Sequence, residues 1–237
     1  MRFPTILSIN ASLPVQFQEK IRKEYPYFEE TNEEQNEVNI QPEEMKAHFR
    51  KITNIKNYAF VSMDRTIKIN LTSTFISIST VNYSKWEEFS AEAKRIISIF
   101  EDEYHPAFYT RIGLRYIDVI TKSKWNLEDR SWNELIKPHI LGVVTPERES
   151  GTSGYLCESE YSEMDSEFIH KSHLEFVHVN ESKEISLLMD CDYFTGVETM
   201  SDVVWDKAEH LHNMSSCFIA NAITELLNDA MEPEPIV

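Results

Sequence analysis

A chain of 237 residues, 41% hydrophobic and 27% charged, carries enough apolar material for one sizeable core or two smaller ones and belongs to the globular class. Its 40 acidic side chains against 23 basic ones leave a net charge of −17, which repels a phosphate backbone, excludes generic nucleic-acid binding and suits a basic partner. Three widely spaced cysteines (Cys157, Cys191 and Cys217) exclude a disulfide framework and imply a reducing, cytoplasmic setting, and no apolar run approaches the ~20 residues that span a bilayer, so no membrane partner is expected.

In chain order, residues 3–10 read as a short strand. Ser12 is placed to cap a helix from Leu13 to Glu24, with Pro14 in the first turn, where its missing N–H costs no hydrogen bond. Residues 29–45 are acidic and poor in large apolar groups, and read as a loop or an exposed edge. Three β-type runs follow, Tyr58–Met63, Thr66–Leu71 and Thr74–Thr80, with Asp64 and Arg65 as a tight connection between the first two. Ile67, Ile69 and Leu71 alternate with Thr66, Lys68 and Asn70, the pattern of a half-buried antiparallel strand.

Ser84 and Glu87 then stand at capping-box spacing ahead of a helix. Trp86, Phe89, Ala93, Ile96, Ile97 and Phe100 form its apolar stripe, and Pro106 ends it. Phe108–Thr121 reads as one long strand with two unlike faces. Phe108, Ile112, Leu114 and Tyr116 share one; Arg111, Gly113, Arg115, Ile117 and Val119 share the other. Trp132–Ile136 reads as a helical turn, Pro146–Gly154 as a loop, and 155–168 as an acidic stretch without a clear period. Strands return over His173–Val179 and Glu184–Phe194, around a turn at 180–183. The last element is a helix from Asp202 to Ala230, capped by Ser201, with the stripe Val204, Ala208, Leu211, Ser215, Phe218, Ala222 and Leu226. The Asn213–Ser216 patch is its expected bend. Runs of strands followed by single long helices give an α+β class, an antiparallel sheet with long helices packed on one face. The domain reading is a single compact unit over 1–237, with a division into two related β-β-α halves, 1–122 and 123–237, left open. Each half has a helix opening on a tryptophan, Trp86 or Trp205.

The candidate ligand-binding residues are Arg111, Arg115, Asp190 and Asp192. A guanidinium is planar and permanently charged and grips carboxylates or phosphates in pairs of hydrogen bonds. Two readings are open. Arg111 and Arg115 form an anion pocket on the sheet, or they pair internally with Asp190 and Asp192, which share a face of their own strand, as a charge ladder. Asp190 and Asp192, joined by Asp118, would be oxygen ligands for a divalent cation, but one carboxylate pair without a placed third ligand does not define a metal site. Among the histidines, His210 and His212 are two apart on a helix and cannot chelate one ion. His170, His173 and His178 have no cysteine or carboxylate at a recognised ligand spacing. No catalytic residue, metal site or cofactor is assigned, because no phosphate loop, nucleophile elbow, zinc-protease or dinucleotide signature occurs.

Five segments, in order, resemble a family of bacterial and archaeal proteins of about this length termed "sporadically distributed". They are KIRKEYP (Lys20–Pro26), YSKWEEF (Tyr83–Phe89), RIGLRYIDVI (Arg111–Ile120), LLMDCDYF (Leu187–Phe194) and the helix Trp205–Leu227. The third is close to the family's hallmark R-x-G-L-R-Y-I-N-x-I strand, with Asp118 in place of Asn. Met189 and Cys191 depart from its L-D-I-D form. The resemblance implies no catalytic residues. It implies a component of a mobile accessory system, defence or toxin-related loci among them. The expected function is therefore non-enzymatic binding or regulation, with a protein partner or a small anionic ligand and no direct nucleic-acid contact. The alternatives are an enzyme acting on a phosphate-containing substrate through the Arg/Asp set, and an acidic nucleic-acid mimic that captures basic proteins.

Overall fold

Phe3, Ile6 and Ile9 recur every three residues, and the chain follows that spacing. In place of the strand expected over 3–10 stands a short helix, α1 (Leu7–Ala11), which buries Ile9 and leaves Leu7 exposed. On a strand those two side chains would share a face. The computed structural model describes residues 1–41, 46–162, 166–179 and 184–231. It forms two units, Met1–Arg111 with Glu198–Ser201 and Ile112–Val197 with Asp202–Val237.

In the first unit, α2 (Val15–Ile21) is shorter than the expected 13–24 and starts directly after Pro14. Ser12 does not cap it; its hydroxyl donates back to the Ser8 carbonyl. The acidic stretch after it is a strand, β1 (Tyr27–Gln41), at the edge of its sheet; the expected loop residues 42–45 lie outside the described residues. It pairs with β2 (Lys46–Val61), then β3 (Ile67–Leu71) and β4 (Ile76–Thr80) complete an antiparallel meander in the order β1-β2-β3-β4. β2 pairs with β1 along its length but with β3 only over Tyr58–Val61. The connection at Asp64-Arg65 is held by the Asp64 carboxylate, which accepts from the Ser62 hydroxyl at 2.6 Å and the Thr66 N–H at 3.1 Å. α3 (Trp86–Tyr104) begins one residue after Lys85, so the capping box expected from Ser84 and Glu87 does not form. His105, in the left-handed region at φ 47°, closes the helix just before Pro106. The predicted stripe faces the core at Trp86, Ala93, Ile96, Ile97 and Phe100, with Phe89 half-buried. The Phe17 ring stands between Phe60 and Tyr104, at 5.5 and 6.5 Å, and Phe3 meets Phe100 at 4.8 Å.

The second unit opens on the arginine strand. Its regular part, β5 (Ile112–Ile120), is shorter than the expected 108–121, because Tyr109 and Arg111 make isolated bridges within the first unit, to Thr199 and Arg2. Three short helices follow, α4 (Trp132–Leu135), α5 (Pro138–Leu141) and α6 (Pro146–Glu149), the last inside the expected loop. The acidic stretch after them supplies an edge strand, β6 (Leu156–Ser162), followed by β7 (Phe168–His178) and β8 (Ile185–Thr195). The expected turn at 180–183 lies outside the described residues. The four strands form an antiparallel sheet in the order β5-β8-β7-β6. β8 is central, and Leu187, Met189, Cys191 and Tyr193 on its inner face are all buried.

The terminal helix is two helices, α7 (Val204–Ala222) and α8 (Glu225–Met231), and Ser201 lies in a preceding 3-10 turn without capping α7. The break falls at Ile223, not at Asn213–Ser216. There the exit of α4 intervenes: Lys137 N–H donates to the Ala222 carbonyl at 2.8 Å, and Thr224 N–H donates to the Leu135 carbonyl at 2.9 Å. Backbone groups that a continuous helix would pair internally are met from outside. The fold is thus α+β, with two antiparallel four-stranded sheets. No helix among the described residues is long and apolar enough to cross a membrane.

Candidate functional site

The register of the second sheet decides which side chains meet. Arg115 stands opposite Asp192, Asp192 opposite Lys171, and Lys171 opposite Glu160. In the next row Ile117, Asp190, His173 and Glu158 follow one another across the same four strands. Residues directly opposite in an antiparallel ladder share a face, so both rows lie on one side. That side is the solvent face: Arg115, Ile117, Lys171, Glu160 and Glu158 are exposed and Asp190 and Asp192 half-buried.

The two rows form an open depression of about 510 Å³. Four carboxylates line it, Glu158, Glu160, Asp190 and Asp192, against Arg115 and Lys171, with His173 between them. Arg115 does not reach straight across to Asp192. It leans along the sheet and grips Asp190 in bidentate fashion, Nε donating to Oδ1 at 2.6 Å and Nη2 to Oδ2. That grip holds the Asp190 carboxyl below the ordinary carboxylate range and raises the guanidinium further. Lys171 Nζ lies 2.8 Å from Glu160 Oε2. His173 is held from both sides, Nδ1 at 3.0 Å from Glu158 and Nε2 at 3.2 Å from Glu175. A neutral imidazole has one N–H and could donate to only one of them; the cation donates to both. The hydrogen bond to Glu158 first, then that to Glu175, therefore raises His173 above its usual 6.5.

Of the four sequence-predicted site residues, three come together: Arg115, Asp190 and Asp192 line the depression. Arg111 does not line it. It is the last residue of the first unit, where its carbonyl accepts the Arg2 N–H at 2.8 Å. Asp118 is not a companion of the aspartate pair. It stands opposite Met189, on the other face of the sheet, so it cannot meet an ion held by Asp190 and Asp192. Among the described residues no three or more His, Cys, Asp or Glu side chains are placed to hold a metal ion. His170 and His173, three apart on β7, face opposite sides; His212 on α7 bonds Tyr116 Oη at 3.0 Å, and the His210 ring meets Phe168 at 4.1 Å. Glu158, Glu160, Lys171 and His173 were missed. Their signal was the period-two alternation Lys171, His173, Glu175 against Ser172, Leu174, Phe176, and Glu158-x-Glu160 beside it. Alternation alone does not say which strand is the neighbour.

The arrangement is a lattice of ion pairs with an excess of carboxylate. An anionic ligand would have to displace Asp190 from Arg115 and enter against the remaining acids. An ammonium or guanidinium group finds acceptors at once. Comparison with protein families, with curated proteins and with solved structures gave no match for this chain.

Proposed function

We propose that the protein is a non-enzymatic binding component, of the kind the sequence resemblance places in bacterial accessory systems. Its acidic sheet face recognises a protein partner through a lysine- or arginine-rich segment. One observation carries this reading: Asp190 already occupies Arg115, which leaves an open, net-acidic depression in place of an anion clamp. A net charge of −17 over the chain supports it, because the long-range field draws a basic partner in. The small anionic ligand expected as an alternative is not favoured by the same observation.

The test is fluorescence anisotropy of a labelled lysine-rich peptide. Binding weakens steeply toward 1 M salt, where the Debye length falls to about 3 Å. Glu158→Lys and Asp192→Lys each weaken it by up to about fivefold, the worth of an exposed ion pair. Turnover of any substrate that Asp190→Ala abolishes while the fold stays intact would overturn the non-enzymatic reading.

A further inference from the structure

The inner face of the same sheet carries a second cavity. One ladder row there runs Leu114, Tyr193, His170, Tyr161, from β5 through β8 and β7 to β6. α7 packs against this face, burying Val204, Ala208 and Leu211 in its first half and Ala222 at its end. Between them the apolar stripe is not closed: Met214, Ser215 and Phe218 are only half-buried. The gap is a cleft of about 350 Å³ lined by Tyr161, His170, Tyr193, Met214, Cys217 and Phe218 with polar neighbours from α7. That volume is of small-molecule size.

His170 gives the cleft its chemistry. It is only 7% exposed, its ring stacks on Tyr193 at 4.3 Å, and Phe218 meets it edge-on at 4.5 Å. Its Nε2 is buried, and no described protein group bonds it. A buried polar atom left unpaired is costly, so a site that keeps one is shaped to receive a partner for it. Burial also lowers the His170 pKa, which keeps the ring neutral at pH 7. A neutral imidazole nitrogen is a donor or an acceptor according to tautomer. A hydroxyl group serves both, since it donates and accepts. No acidic side chain, lysine or arginine lines the cleft among the described residues, so an ionised ligand would be desolvated without compensation. Ring walls favour a flat ring, stacked or edge-on.

We propose that this cleft binds a small neutral aromatic molecule bearing a hydroxyl, a phenol-class ligand, with its ring against Phe218 and Tyr161 and its hydroxyl on His170 Nε2. The cleft and the charged depression lie on opposite faces of the sheet, so loss of binding at one leaves the other intact.

The experiment is a titration of ¹⁵N-labelled protein with phenol, read from the imidazole nitrogens, with benzene and benzoate as controls. Phenol shifts the His170 resonances saturably and binds about fivefold more tightly than benzene, the worth of one neutral hydrogen bond. Benzoate does not bind. His170→Phe replaces the imidazole with an apolar ring that fills the same place, and it erases the preference for phenol over benzene. An independent readout avoids the variant. Cys217 is exposed at the cleft and Cys191 is buried, so in a Cys157→Ser background phenol slows maleimide labelling at Cys217. Equal binding of phenol and benzene, unmoved His170 signals, or unchanged Cys217 labelling overturns the proposal.

Discussion

Arg115 stands opposite Asp192 yet bonds Asp190, one pleat along. A long side chain on a twisted strand reaches the diagonal neighbour as readily as the direct one. The sequence pattern Asp-x-Asp was enough to put both aspartates on one face, and it left undecided which of them takes the guanidinium. Arg115 is 61% exposed, so the pair is screened and its worth is modest. Asp190→Asn should lower stability by no more than about 1 kcal/mol at pH 7, measured by urea unfolding. The sign with pH is fixed. A carboxyl whose folded pKa lies below its usual 3.8 contributes fully above 3.8 and loses that contribution as pH falls through the folded value. The difference between wild type and Asp190→Asn should therefore vanish in strong acid. His173 works the other way. Its folded pKa lies above 6.5, so its stabilisation is complete below 6.5 and is lost as pH rises through the folded value. Urea midpoints of wild type and His173→Gln should differ most in mild acid and converge on the alkaline side; a gap that widens with pH would contradict the two-carboxylate clamp.

Strands and helices with a clean period were legible. The stripe of α3 and the alternation of β3 are where they were expected, because burial of one face is what fixes both. Element ends were not, and the reasons are tertiary. Ser84, Ser12 and Ser201 all have the chemistry of caps, but the residues that precede the helices are Lys85, Pro14 and Val203, none of which caps with its side chain. The acidic β1 and β6 carried no hydrophobic signal because each is an edge strand, held by backbone pairing on one side. The break between α7 and α8 depends on α4, far earlier in the chain, whose exit meets the freed backbone groups and whose Glu134 carbonyl accepts the Thr224 hydroxyl at 2.7 Å. Thr224→Val removes that hydroxyl and should cost about 1 kcal/mol in thermal or urea unfolding. At the centre of the sheet the cost is of another order. Leu187 is fully buried, and Leu187→Ala should destabilise by about 2–5 kcal/mol through the cavity it leaves.

At the scale of the whole molecule, charge is the dominant property. The net −17 is carried by acids along the whole sequence, and Glu29 and Glu30 at the start of β1 are exposed. A basic peptide therefore meets negative surface in many places, and binding by itself does not locate the site. What distinguishes the second sheet is order: its carboxylates stand in rows at fixed register, held by Arg115, Lys171 and His173. Fixed acceptors cost a bound cation less reorganisation than mobile ones. The acidity was legible from composition, and the surface that concentrates it was not, since it needs the pairing of β6 with β7 and β7 with β8. The most direct measurement is a backbone ¹H–¹⁵N titration with a lysine-rich peptide. Saturable shifts confined to residues 158–160, 171–175 and 190–192, reduced by Glu158→Lys, are the predicted result. Shifts centred on the acidic strand β1, or shifts spread evenly over both units and unchanged by Glu158→Lys, would contradict it.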